Sequence, residues 1–569
     1  MKNVYVHAFA TSVFFTLLAG CVVEPQDLAD EVVVDEDLDT VEDSVNSSCP
    51  SDIIVGEGTP LASIGSCGKL VYRTYANRGE SNVVNRLPDF SYAGYRRGGV
   101  AIPTIAAKAT VSPGSGDDRA RIQAAIDKVS AMPAGADGFR GAVLLKKGHY
   151  ELSDSIKITT SGVVLRGEGQ GTDGTVLVAT AAKQYDLVEV QGAGSGFGEV
   201  SGTRKRITTS FVPVGSRTFE VESAAGYEVG DRIVVVRQPN QAWIDALGAK
   251  PYGWTPSAYE IDHPRKITAI DGKKITIDIP IVDTIENKYG GGFVYASAVE
   301  GRIRLVGVED IRLESKYASA TDEKHGWTAV RFGRTTDSWV RRMTAAYFGY
   351  GAVMVADQSA FLTVEDSAHL DPKSKIEGGR RYSFYVEDGL GVLFQRNLAR
   401  ESRHAFVTGS GVTGPNVWLD CVSANAHADD GPHHRWATGL LFDNTKGNEL
   451  DVQNRQDSGS GHGWAGAQTM FWNTSADSII ADAPRGAMNW AVGVTGTKAE
   501  GKWAAEEPFG IWSSHNNPVS PRSLYLQQLE DRKGKTAVDA ITLPAQRAGR
   551  IWTKLSTWTG GERLSDHLK

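Results

Sequence analysis

Ser383-Phe384-Tyr385-Val386, a polar turn, Val392-Leu393-Phe394-Gln395 and a closing Ala399 make up one turn of a pattern that repeats from Trp327 onward. The first strand recurs at residues 329–332 (AVRF), 352–355 (AVMV), 405–408 (AFVT), 440–442 (LLF) and 469–471 (TMF). The second recurs at 339–342 (WVRR), 361–364 (FLTV), 417–420 (VWLD) and 450–453 (LDVQ), and the small closing residue at Ala345, Ala368 and Ala424. Units this short cannot bury their own apolar faces and must stack on one another. Short strands, Gly-rich turns and the lack of heptads predict an all-β solenoid, a parallel β-helix, and not a helical repeat.

Upstream, residues 117–126 (DDRARIQAAI) have the spacing of an amphipathic helix with an acidic first turn, suited to cap the open end of a solenoid. Residues 141–145 (GAVLL), 148–150 (GHY) and 163–169 (VVLRGEG) follow as strands. This order resembles the N-terminal rungs of the pectate lyase superfamily, the right-handed parallel β-helix (pectin lyase-like) proteins. The resemblance spans residues 85–200 and 300–500, and implies that fold together with a polysaccharide as partner. It is specific for architecture and weak for chemistry.

Residues 203–297 break the rhythm. Alternating stretches such as 231–236 (DRIVVV), 266–270 (KITAI) and 274–278 (KITID), with the Asp271-Gly272 turn, predict a small inserted antiparallel β module. Trp243, Trp254 and Tyr259 in its long loop are expected to be core, with sugar stacking as the alternative. Residues 49–202 are then assigned to the N-terminal cap and first rungs, 298–520 to the main β-helix and 521–569 to a C-terminal cap and tail. The apolar spacing of residues 523–532 suits a short helix over the last rung.

Residues 1–20 resemble a bacterial lipoprotein signal, ending in Leu18-Ala19-Gly20 before Cys21. The resemblance implies lipidation at Cys21 and attachment of an exported protein to the outer membrane, with that lipid as its sole membrane contact. Residues 21–48 hold ten carboxylates and no basic residue, the composition of a disordered tether. They account for the formal net charge of −8 and leave a near-neutral body, with no basic stripe to neutralise phosphates. Nucleic acid is therefore excluded as partner, and a monomer is expected. Cys49 and Cys67 are spaced to pair in an oxidising compartment. Cys421 lies in an apolar strand and reads as a small hydrophobe. No CxxC or other zinc spacing occurs.

Insertions at one phase of a solenoid converge in space. Three follow second strands, at 369–381 (HLDPKSKIEGGRR), 425–436 (NAHADDGPHHRW) and 456–464 (QDSGSGHGW), with the short turn 400–404 (RESRH) between the first two. Seven of the twelve histidines fall between His369 and His515. Lytic cleavage of a uronate polymer needs its carboxylate neutralised, a base for the C5 proton and an acid for the leaving oxygen. Arg435, helped by Arg403 or Arg380, is assigned to the carboxylate. His434 or His433 is assigned as base and His462 as acid. Trp436 and Trp464 would stack on sugars, and Lys373, Asp429 and Asp430 complete the substrate-binding set. For each of these the bland alternative is a loop hydrogen bond, an ion pair or packing beneath the loops.

Two other functions stay open. Asp429-Asp430 and Gly459-Ser460-Gly461-His462-Gly463 resemble the DD and GxGHG elements of polygalacturonase-type hydrolases, which implies paired aspartates activating water. The Asn-Thr-Asp element and the Arg-x-Lys of that family are missing. A non-catalytic glycan-binding β-helix is the third reading. No cofactor is required, and Ca2+ is admitted through Asp429, Asp430, Glu387 and Asp388.

Overall fold

A computed structural model of the chain describes residues 53–54, 61–194 and 196–569. The expected lipidation site at Cys21 and the tether lie outside the described residues, as does Cys49. Cys67 is disulfide-bonded.

Seven parallel strands stack in chain order into one sheet: β1 (Ile156–Ile158), β2 (Tyr185–Gln191), β3 (Gly326–Gly333), β4 (Gly351–Ala356), β5 (Tyr382–Val386), β6 (His404–Thr408) and β7 (Gly431–Pro432). The register aligns Val188, Val330, Val353, Phe384 and Phe406 across successive rungs. All five are fully buried, each contributing about 1.5–3 kcal/mol by leaving water. A second parallel stack includes Trp339–Ala346, Thr363–Glu365, Leu393–Gln395, Thr413–Leu419 and Ala437–Asp443. There Phe394, Trp418 and Phe442 lie ring over ring, 5.6 and 4.7 Å apart and nearly parallel. The fold is therefore the all-β parallel β-helix that the repeat predicts.

Polar residues recur at the corners because the backbone there turns left-handed: φ is +50° at Asp366, +55° at Arg396, +52° at Asp420, +50° at Asn444 and +51° at Asn473. This conformation costs an L-residue about 1–2 kcal/mol. Side-chain bonds offset it. Arg396 Nε reaches Asp366 at 2.6 Å, Arg522 Nη1 reaches Asp420 at 2.7 Å, and Asn444 and Asn473 both donate to the Arg522 carbonyl.

Helix α1 (Arg119–Ser130) buries Ile122, Ile126 and Val129 in the same core as Val143 and Leu145, closing its N-terminal end. Residues 205–298 form an antiparallel sheet in which Arg232–Arg237 pairs with both Ile261–Asp271 and Gly292–Ala298. Its core holds Ile233, Val235, Ile267, Ile275 and Val294. Gly272, at φ +60°, makes the hairpin turn after Asp271.

The C-terminal helix α2 (Leu524–Lys533) does not sit over the last rung. It lies along the flank of the solenoid, packed against Leu393, Leu419, Leu441 and Trp472, because its buried Leu524, Tyr525 and Leu529 need a broader apolar face than one rung offers. Tyr525 Oη donates to the Ala93 carbonyl and Gln528 Oε1 accepts from Phe90 N, which ties this flank to the start of the described chain. Cys421 is fully buried, and burial pushes its thiol far up.

Candidate active site

Beside β5, β6 and β7 the loops bring four histidines and a tyrosine together. Ring centroids lie 4.6 Å apart for His404 and His433, 5.1 Å for His433 and His462, and 4.9 Å for His434 and His462. Tyr382 is 5.4 Å from His433 and 5.2 Å from His404. The 433–436 and 456–464 segments are laced by main-chain bonds, Arg435 N to His462 O at 3.1 Å and Trp436 N to Trp464 O at 2.8 Å. These bonds hold Arg435 and Trp436 at φ +59° and +62°, two left-handed residues in succession.

The hydrogen bonds fix the tautomers. Arg455 Nη1 donates to His433 Nδ1 at 2.9 Å, so a neutral His433 carries its proton on Nε2, 3.2 Å from Tyr382 Oη. Arg403 Nη1 donates to the same oxygen at 3.4 Å. With two donors on its oxygen, the Tyr382 hydroxyl has its own proton free for a third partner. His404 Nδ1 donates to the Asp429 carbonyl. Nδ1 of His434 and of His462 is shut away from solvent without a partner, although each residue as a whole is half-buried.

Electrostatics keep these rings neutral. Burial, then Arg455 and the neighbouring imidazoles, hold His433 far below the usual histidine range. Burial, His434 and Arg455 push His462 down to about 3. Burial takes His404 to about 4 against the pull of Asp429. His434 is lowered by burial and by Arg435. At neutral pH His462 has no second proton to give, so the acid role expected of it does not fit a ring crowded by cations.

Other expected residues stand elsewhere. Trp436 and Trp464 are 0 % and 1 % exposed and cannot stack on a sugar. They are covered by Trp243 and Trp254 from the inserted module, with Trp243 4.9 Å from Trp436, Trp254 Nε1 donating to Gly461 O at 3.0 Å, and Trp436 Nε1 donating to Asp283 at 2.8 Å. Asp430 is fully buried and accepts from Ala405 N at 2.6 Å and Phe406 N at 3.2 Å. Burial raises its carboxyl to about 7. It supports the start of β6 and does not present a paired aspartate to a cleft. Arg380 is tied to Glu323, and Lys373 lies over Tyr317 and Tyr347. Among the described residues no hydrogen bond or ion pair joins either to His404, His433, His434 or His462, although the Lys373 carbonyl accepts from His325 Nε2 at 2.6 Å. Arg435 donates from Nη2 to Ser460 Oγ at 2.8 Å and stays half-buried.

Asp429, Glu449 and Asp451 place carboxylate oxygens within 4.8 Å of one another, as do ligand atoms of His404, Asp429 and His433. Neither group includes Asp430, Glu387 or Asp388, so the expected calcium set does not converge. Lys502 Nζ already lies 2.5 Å from Glu449 and 3.0 Å from Asp451, supplying the positive charge that the carboxylates need.

Tyr382, Arg455 and Trp503 are not among the residues expected from sequence, and His404 enters there only as the end of the 400–404 turn. Each adjoins a segment singled out there or occupies an equivalent place. Tyr382 follows Arg381, His404 follows Arg403, Arg455 precedes Gln456, and Trp503 lies in the loop after Thr495–Lys498, a strand of the same small sheet as Glu449–Val452. The Arg455 guanidinium lies 4.6 Å over the Trp503 ring, which is 36 % exposed.

No family model matches the chain and no curated protein matches it in sequence. Solved structures do match its shape in part. The tailspike protein gp49 from Pseudomonas phage LKA1 is 14% identical over 70% of this chain and 72% of its own, with a TM-score of 0.37. The A-module of the Azotobacter vinelandii mannuronan C-5 epimerase AlgE4 is 14% identical over 72% and 94%, at 0.32. A polygalacturonase from Erwinia carotovora ssp. carotovora is 10% identical over 72% and 96%, at 0.32. The fold assignment rests on this chain's own strand register.

Proposed function

We propose that this chain is a carbohydrate-active enzyme, a polysaccharide lyase that cleaves a uronic-acid-containing polymer by β-elimination. The observation that carries the proposal is the Tyr382 hydroxyl, bracketed by His433 and Arg403, beside the half-buried imidazoles of His434 and His462, both held toward the neutral form.

Arg403 forms no ion pair among the described residues and is half-buried, which suits it to a uronate carboxylate. Neutralising that carboxylate stabilises negative charge developing at C5. Nε2 of His434 or His462, the ring nitrogen not shut off from solvent, takes the C5 proton, the C5–H electron pair becomes the C4–C5 double bond, and the C4–O bond breaks. The Tyr382 hydroxyl gives its proton to the departing oxygen, with His433 and Arg403 hydrogen-bonded to the phenolic oxygen left behind. Trp503, at the edge of the cluster, offers a stacking face to a neighbouring sugar. Export as an outer-membrane lipoprotein through Cys21 and a monomeric state belong to the same proposal.

The test is incubation with alginate, pectate, glucuronan and glycosaminoglycans, following the ultraviolet absorbance of the unsaturated uronate. Absorbance growth with one polymer, lost by about 100-fold or more in Tyr382→Phe with the fold retained, is expected. Reducing ends without that absorbance would move the assignment to hydrolysis, and retention of a glycan with neither would move it to binding.

A further inference from the structure

The outward face of the β1–β7 sheet carries aromatic rings well beyond the histidine cluster. Tyr382 is 5.3 Å from Tyr350, and Tyr350 is 6.1 Å from Trp327. Trp327 in turn lines a cavity of about 570 Å3 over β1 and β2. Gly349 fixes its ring: a Cβ there would lie 2.5 Å from the indole, so the absent side chain is what lets the ring lie flat. The cavity is four strand steps from β6, about 19 Å at the spacing of a β-sheet.

Its charges differ from those of the cluster. Arg119 and Lys157 face Asp154, Asp186 and Glu189, two cations against three carboxylates. Lys157 Nζ is held by Glu189 at 2.9 Å, Asp154 by Lys183 at 3.1 Å, and Arg119 Nε by the Ser155 carbonyl at 2.9 Å. With Lys183 counted, three cations meet three carboxylates, so the cavity offers a uronate carboxylate no net positive charge. Paired ions that both donate and accept, beside a flat indole, are instead the partners that sugar hydroxyls and a pyranose face require.

We propose that this cavity is a subsite for an uncharged sugar, on a groove that continues along the sheet to the histidine cluster. The substrate class is thereby a heteropolysaccharide whose neutral residue lies about four rungs from the uronate that is cleaved. The composition of that substrate rests on the lyase reading, whereas the neutral-sugar subsite stands on the cavity itself.

The experiment is calorimetric titration of the full chain with neutral manno-, gluco- and galacto-oligosaccharides and, separately, with oligouronates. At least one neutral series is expected to bind. Trp327→Ala should weaken that binding about tenfold or more and Trp327→Phe by less. Melting curves of both Trp327 variants control for folding. Binding of no neutral series, or neutral binding indifferent to Trp327→Ala, would overturn the subsite. If elimination fails on every uronate while Trp327-dependent binding persists, the lyase reading falls and the subsite stands.

Discussion

Asp430→Asn separates a structural carboxyl from a catalytic one. In the unfolded chain this group ionises near 3.8; in the folded chain burial holds its proton to about 7. The native state therefore binds more protons than the unfolded state between those values. Stability from this group is full below about pH 4, falls progressively to about pH 7 and is flat beyond. At 1.36 kcal/mol per pKa unit the full loss is about 4 kcal/mol, and relaxation with water entry reduces it to about 2–4 kcal/mol. Asparagine keeps an oxygen for the Ala405 and Phe406 amides and has no proton to lose. Urea unfolding of both proteins at about pH 4 and about pH 8 should show the variant losing about 2–4 kcal/mol less than the wild type on going to the higher pH, with turnover within a few-fold. The difference cancels Asp443, Asp451 and Asp482, which burial also raises, to about 7, 8 and 8. An equal loss at both pH values, or a fall in turnover of about 100-fold or more, would refute the structural assignment and revive paired-aspartate hydrolysis.

Two further outcomes follow from the same geometry. With His404 lowered to about 4 and His462 to about 3, kcat/KM should hold its value through pH 6 and lose it only between about pH 3 and pH 5; an acid limb near 6.5 would contradict neutral, crowded imidazoles. These groups act on stability with the opposite sign to Asp430, since their contribution is present above pH 6.5 and is lost as pH falls toward their folded values. Trp254→Ala should destabilise the protein by about 3–5 kcal/mol and lower kcat, because the buried ring holds Gly461 beside His462, whereas Trp254→Phe should cost about 1 kcal/mol for the lost hydrogen bond. Denaturant melts paired with turnover check both, and unchanged kcat in Trp254→Ala would show that the loop holds its shape without this ring.

The rungs were legible because strands such as 383–386 and 392–395 carry their own periodicity, and stacking follows from it. The inserted module was legible for the same reason, through the Asp271-Gly272 turn and its flanking strands. The site was legible only as a neighbourhood. His433, His434, Arg435 and His462 do meet, since repeats at one phase converge. Trp436 and Trp464 were misread because the groups that cover them, Trp243 and Trp254, lie about two hundred residues earlier in a different module, and nothing local reports such a contact. Asp430 next to Asp429 looks like a pair on paper, yet alternate residues of an extended segment face opposite ways, and one turned inward to the amides of β6. Tyr382 was hidden inside a strand whose apolar pattern explained it well enough without chemistry.

The antiparallel insert leaves and rejoins the solenoid through neighbouring chain, Gly198 opposite Ala298 and Glu199 opposite Ser297. The module also bears on the solenoid away from that junction, with Trp436 Nε1 donating to Asp283 and Thr438 Oγ1 to the Val282 carbonyl. Its far end, at Trp243 and Trp254, clasps the loops that carry Arg435 and His462. Removing the insert would uncover Trp436 and Trp464 and free the loops that carry Arg435 and His462 from the surface that now holds them.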